Sequence, residues 1–174
     1  MDNREFSHLN QRGEVHMVDV SHKPVSARHA VAEGRIFASA EVISAVRTGA
    51  TLKGDVLAVA RVAAIMAAKR TAEIVPLCHP MSLSGVECIL ELEAESIRVQ
   101  VQVNTAAATG VEMEALTGVS AALLTLYDML KSLDRGMHLG GIRLLVKTGG
   151  KSGRYDAPSS GARDNQGGDS ERGS

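Results

Sequence analysis

Asp128 and Lys131 stand three positions apart in a stretch, 109–135, whose apolar residues recur every third or fourth place. On a helix that spacing makes the two side chains neighbours. A carboxylate beside an ammonium can move protons, because each group tunes the other's affinity for one. The same spacing also yields ordinary surface ion pairs, so chemistry does not follow from it alone. Lys53, beside Gly54 and directly ahead of a second helix, puts another cation in a flexible turn, where solvated lysines are the usual case. His79 lies with Leu77 and Cys78 between Pro76 and Pro80, in an irregular segment that the prolines stiffen. Binding residues gather in such loops, although a histidine there is more often structural. Glu112 and Glu114 are most simply first-turn acids that suit a helix dipole.

Other constellations fail on spacing. Gly150, Lys151 and Ser152 suggest a phosphate-binding loop, but that motif needs a glycine where Leu145 stands and a helix that a tail of this composition cannot form. Cys78, His79 and Cys88 lack the paired ligand motifs of a structural zinc site, and the apolar neighbours of Cys88 place it in a core. No metal site and no protein-bound cofactor are expected. A flexible glycine-rich segment that lets Lys147 and Lys151 reach a phosphate stays open.

The elements that must position these groups follow from periodicity. In the long helix, Met113, Leu116, Val119, Ala122, Leu123, Leu126, Met129, Leu130 and Leu133 form the apolar face, with Gly136 as the stop. Glu114, Thr117, Ala121, Leu124, Asp128 and Lys131 form a second stripe. Lys131 and Arg135 are expected in its last turn. Ahead of it, residues 84–93 and 96–105 alternate as a hairpin, with Val86, Cys88, Leu90 and Leu92, then Ile97, Val99, Val101 and Val103, on one face. Residues 28–38 read as a first strand, and Ser39 caps a helix over 40–48 that Gly49 stops. Asp55 caps an alanine-dense helix running to about Ile74, and residues 142–147 make a last strand. The order β-α-α-β-β-α-β, with helices on one face of a mainly antiparallel sheet, gives an α+β, ferredoxin-like two-layer sandwich. Residues 1–26 are expected as a loose arm, 27–153 as one domain and 154–174 as a disordered tail.

Composition narrows the function. A chain of 174 residues can bury a core, and a net charge of -1 argues against a general nucleic-acid or membrane-surface binder. Two Phe, two Tyr and no Trp remove the stacking platforms of single-strand binders. Two cysteines suit a reducing cytoplasm, and neither a membrane span nor a signal-peptide pattern is evident.

TGVEMEALT at 109–117 followed by LYDMLK at 126–131 resembles the cyclic pyranopterin monophosphate synthase family of molybdenum cofactor biosynthesis. The likeness extends to HMVDVS at 16–21, KGDVLAVARVAAIMAAKRT at 53–71, PLCHP at 76–80 and IRLLVKTGGKSG at 142–153, in register along roughly residues 6–153. The resemblance implies a lyase that takes a small molecule, a 3′,8-cyclised dihydro-GTP, rearranges it to the pyranopterin and releases pyrophosphate. It implies Lys53, Asp128 and Lys131 as catalytic residues, and Leu77, Cys78, His79, Met113 and Glu114 as substrate-binding. Arg28, His16, Lys69 and Lys147 match basic positions of the same pocket. It further implies a homo-hexamer built of dimers with shared active sites, and Mg²⁺ only as a companion of the substrate triphosphate. Ala106, Ala107 and Ala108 depart from the family, which often carries a basic residue there. The alternative is a non-catalytic ferredoxin-like domain that binds a nucleotide and oligomerises; it gives no reason for Lys53, Asp128 and Lys131 to occur together.

Overall fold

The structure, a computed structural model, describes residues 12–158 of the chain. Strand β1 (Ser26–Phe37) is followed by α1 (Ala40–Thr48), α2 (Val56–Ala68) and α3 (Thr71–Ile74). The hairpin β2 (Gly85–Leu92) and β3 (Ser96–Ala107), helix α4 (Glu112–Leu130), β4 (His138–Thr148) and β5 (Tyr155–Asp156) complete it. The sheet order is β2-β3-β1-β4-β5, with every neighbouring pair antiparallel. This is the expected ferredoxin-like sandwich with one short strand added at the β4 edge.

Alternation along the strands decides where the helices lie. Ala30, Ala32 and Ile36 of β1, Cys88 of β2, and Ile97, Val99, Val101 and Val103 of β3 are buried in one cluster with Val119, Ala122, Leu123, Leu126 and Leu130 of α4. Helix α2 packs on α4 and β2, and its alanines permit close approach: the carbonyl of Ala64 would lie 3.2 Å from a Cβ added at Gly118. On the opposite face of β1, Glu33 is buried and accepts Arg98 Nε at 2.8 Å and Arg143 Nη2 at 2.7 Å. Burial would raise its pKa, but the hydrogen bonds from Arg143 and Arg98 outweigh that and hold the carboxyl below the usual range. One carboxylate thereby ties β1 to both of its neighbours.

Several boundaries differ from expectation, each for a local reason. Helix α2 ends at Ala68, where Thr71, itself buried, turns its hydroxyl back to the Ala68 carbonyl at 3.0 Å. Helix α4 ends at Leu130, so Lys131 is its C-cap and Arg135 lies beyond it. The stop is a tight turn in which Leu133 N–H donates to Leu130 O at 2.8 Å, not Gly136. Leu133 and Met113, assigned to the apolar face, are 45% and 39% exposed. Strand β4 starts at His138 because two bulges against β1 carry it past Gly140 and Gly141, which hide the alternation. Residues 155–156, expected within a disordered tail, pair with Val146 and Lys147 as β5. Part of the expected loose arm is tied down, since Val18 O accepts the His79 ring at 2.8 Å. The remainder of that arm and tail, residues 1–11 and 159–174, lies outside the described residues.

Gly34 sets how closely α4 approaches the sheet. A Cβ there would lie 2.8 Å from Leu123 Cδ1, 2.9 Å from Val119 Cγ1 and 3.0 Å from Ile142 Cγ1. Gly34→Ala should therefore overpack the core and destabilise the protein by about 1–3 kcal/mol. An unchanged urea midpoint would show that α4 has room to shift.

Candidate functional site

The groups singled out in the sequence assemble at the two ends of α4. At its C-terminal end, Asp128 Oδ1 accepts Lys131 Nζ at 2.6 Å, and Asp128 Oδ2 lies 3.5 Å from Lys53 Nζ. Lys53 also donates to the backbone carbonyl of Asp128 at 2.9 Å. That carbonyl is one of the last-turn acceptors a helix leaves unsatisfied, and a cation there suits the dipole. Lys53 reaches it because the 51–55 turn, with Gly54 at φ 77°, delivers the chain into Asp55, whose Oδ1 caps α2 through Ala58 N–H at 2.9 Å. The hydrogen bond and charge of Lys131, with the charge of Lys53, hold the Asp128 carboxyl below its ordinary range. It is thus an ionised anchor for two ammonium groups. All three side chains are largely exposed, at 43% for Lys53, 53% for Lys131 and 62% for Asp128.

The other end opens into a cavity of about 490 Å³. Leu77, Cys78, His79, Met113 and Glu114 all line it, so the five residues expected to bind substrate do meet. Residues 75–79 form one wall, closed by Cys78 N–H donating to Val75 O at 3.0 Å. Thr109, Gly110 and Glu112 form another; a Cβ at Gly110 would lie 1.9 Å from Glu112 Oε2, so only glycine lets that carboxylate fold back. Val18, Val20 and Lys23 supply a third wall, the two valines from the apolar-flanked patch at 16–20, whereas the polar setting of Lys23 gives no signal of its place there. None of Lys53, Asp128 or Lys131 lines this cavity.

Glu114 is the chemical centre of this end. It is 3% exposed, and its Oε2 has no hydrogen-bond partner among the described residues. The spacing that put it on a polar stripe did not foresee the 75–79 segment folding over that stripe. Burial, with the nearby charge of Glu112 adding to it, pushes the carboxyl up to about 7. Close to neutrality it can donate a hydrogen bond or accept one. Burial, with Glu114 adding to it, also raises the Cys78 thiol, which disfavours the thiolate. His79, with Nε2 held on Val18 O, has Nδ1 left for another partner.

The remaining basic residues divide. Lys69 lines an adjoining cavity of about 420 Å³ that shares Met81 as a wall. His16 has a buried Nδ1 with no hydrogen-bond partner among the described residues and does not line the main cavity. Arg28, opposite Thr105 on β3, bonds through Nε to Ala107 O and through Nη2 to Ala108 O, both at 3.2 Å. Its guanidinium lies against Gly150, where an added Cβ would come 1.6 Å from Nη1. Lys147 bonds the Ser152 hydroxyl in the same turn. Since β3 runs directly into the N-terminus of α4, Arg28 and Lys147 belong to the cavity end, away from Lys53.

Residues 17–150 match the MoaC family. Curated relatives named cyclic pyranopterin monophosphate synthase include that of Cereibacter sphaeroides (strain ATCC 17029 / ATH 2.4.9), 54% identical over 156 residues, covering 87% of this chain and 97% of the relative. The enzyme so named from Thermomicrobium roseum is 52% identical over 153 residues, covering 87% of this chain and 92% of its own. That of Natranaerobius thermophilus is 48% identical over 154 residues, covering 87% and 97%.

The raised Glu114 carboxyl makes a testable signature. In the folded protein it keeps its proton up to about 7, whereas an unfolded glutamate releases it at about 4.3. Its contribution to stability is therefore complete below about 4 and lost as the pH rises through about 7. Urea unfolding of Glu114→Gln, which cannot ionise, should show a flatter decline between about pH 5 and 7 than the wild type. Superimposable pH profiles would mean that Glu114 is ionised in the folded state.

Proposed function

The chain belongs to the MoaC family, and on that premise we propose that it acts as a cyclic pyranopterin monophosphate synthase, a lyase of molybdenum cofactor biosynthesis. The substrate is the 3′,8-cyclised dihydro-GTP. It is rearranged to the pyranopterin, its pyrophosphate leaves, and a cyclic phosphate closes. The observation that carries this reading is the pair of ammonium groups, Lys53 and Lys131, held on one ionised carboxylate. The reaction needs proton transfer at the ring and positive charge against a leaving group on which negative charge grows. Lys131, oriented by Asp128, supplies the first, because a carboxylate held ionised is a weak base and serves better as an anchor. Lys53 supplies the second. Mg²⁺, where present, travels with the triphosphate.

The cavity at the other end of α4 binds the substrate through residues 77–79, Met113 and Glu114. Because Lys53 and the cavity are separated by the helix, one chain presents half of each site. We take the active unit as a two-fold dimer, within a hexamer, in which the cavity of one subunit faces the Lys53, Asp128 and Lys131 end of its neighbour. The exposure of those three side chains in the single chain supports that arrangement. No helix among the described residues is long and apolar enough to cross a membrane, which agrees with a cytoplasmic enzyme. The non-catalytic alternative accounts neither for the three charged groups nor for the relatives' names.

Incubation with the cyclised GTP substrate should release pyrophosphate; none released by the folded protein contradicts the assignment. Lys53→Ala should abolish that release while stability changes by within about 0.5 kcal/mol, the usual range for an exposed side chain. Near-normal turnover by this variant would remove Lys53 from the chemistry.

A further inference from the structure

No residue between Val46 and Val56 is buried, so packing does not decide where Lys53 stands. Leu52, its neighbour, is 88% exposed and anchors nothing. Hydrogen bonds must place the loop instead. Behind it, Ala50 N–H donates to Ala45 O at 2.9 Å and closes the end of α1; ahead of it, Asp55 caps α2. Between those fixed points Thr51 and Gly54 hold each other twice. Gly54 N–H donates to Thr51 O at 3.3 Å, and the Thr51 hydroxyl donates to Gly54 O at 2.5 Å. The backbone bond is longer than a good amide bond, whereas the hydroxyl bond is a full one. Lys53 lies inside this closed turn and reaches Asp128 from it, at 2.9 Å to the carbonyl and 3.5 Å to Oδ2. A lysine side chain has much rotamer freedom to lose in making such contacts, so a fixed root for its stem counts.

We propose that Thr51 is a positioning residue for the reaction, whose hydroxyl closes the 51–54 turn and so holds Lys53 on Asp128. This rests on the functional reading above for the part Lys53 plays in turnover, but not for where Lys53 is held. Thr51 touches neither the substrate nor Asp128; it acts through the backbone that carries Lys53.

Two variants isolate the hydroxyl: Thr51→Val keeps the branching at Cβ and loses the donor, and Thr51→Ser keeps the donor. Pyrophosphate release by Thr51→Val should fall about fivefold in kcat, the scale of one net hydrogen bond, at an unchanged KM and thermal midpoint. Thr51→Ser should keep the wild-type kcat. A wild-type kcat in Thr51→Val overturns the proposal, as does an equal loss in Thr51→Ser or a loss confined to KM. Acetylation of the amines by acetic anhydride, followed residue by residue in a mass spectrometer, reads the placement without turnover. The Lys53 nitrogen can react only once it has left its acceptors on Asp128. Measured against the exposed Lys151, Lys53 should label about two to five times faster in Thr51→Val than in the wild type, and no faster in Thr51→Ser. That result supports the proposal even if the wild type proves inactive on the cyclised substrate. Equal labelling of Lys53 in the wild type and Thr51→Val refutes it.

Discussion

Fourteen residues of continuous helix separate Glu114 from Asp128, and a rise of 1.5 Å per residue turns that count into about 21 Å. The chemistry of the molecule is arranged around this fixed length. Both ends of α4 are pinned: Arg28 reaches the carbonyls of Ala107 and Ala108 just before its start, and Lys53 takes the Asp128 carbonyl in its last turn. Between them the rod lies tightly on its neighbours, against β1 at Gly34 and against α2 at Gly118. Glu33, beneath the sheet, keeps the three central strands together through Arg98 and Arg143. A rod so held cannot bend to bring its ends together, so a site that used both ends would need a second chain.

The two ends have contrasting electrostatics, and each lacks what the other has. The C-terminal end displays concentrated charge, one carboxylate between two ammoniums, in the open where water weakens its pull. The cavity end is enclosed, and its buried carboxyl is pushed toward neutrality. Enclosure strengthens electrostatic interactions and charge does the chemistry. The two-fold dimer proposed above, with one end set against the other, would supply both at once. Arg28, Lys147 and Lys23 all belong to the cavity end, so a triphosphate held there would meet Lys53 only from a neighbouring subunit.

Much of this was legible in the sequence wherever a signal was local. Alternation placed β1, β2 and β3, Ser39 and Asp55 were recognised as caps, and the Asp128–Lys131 spacing announced a pair that the structure closes at 2.6 Å. The misses came where distant segments decide. Spacing alone makes Glu114 a first-turn acid suited to the helix dipole, because it cannot foresee a loop 35 residues upstream folding over it. Lys23 was lost in a polar arm whose order depends on a hydrogen bond to His79. The first half of β4 was invisible because bulges and paired glycines break the two-residue period. Glu33 gave no sign of its role, since its arginine partners lie 65 and 110 residues further on.

Subunit mixing tests the central claim, that the opposite ends of α4 belong to one site across a two-fold interface. A Glu114 variant and an Asp128 variant, each inactive alone, would be dissociated, combined in equal amounts and reassembled. Random pairing makes half of the dimers mixed, and each mixed dimer has one site free of both substitutions. Pyrophosphate release should then return to about a quarter of the wild-type rate. If labelled subunits prove to have exchanged and no activity returns, the site lies within a single chain and the account is wrong.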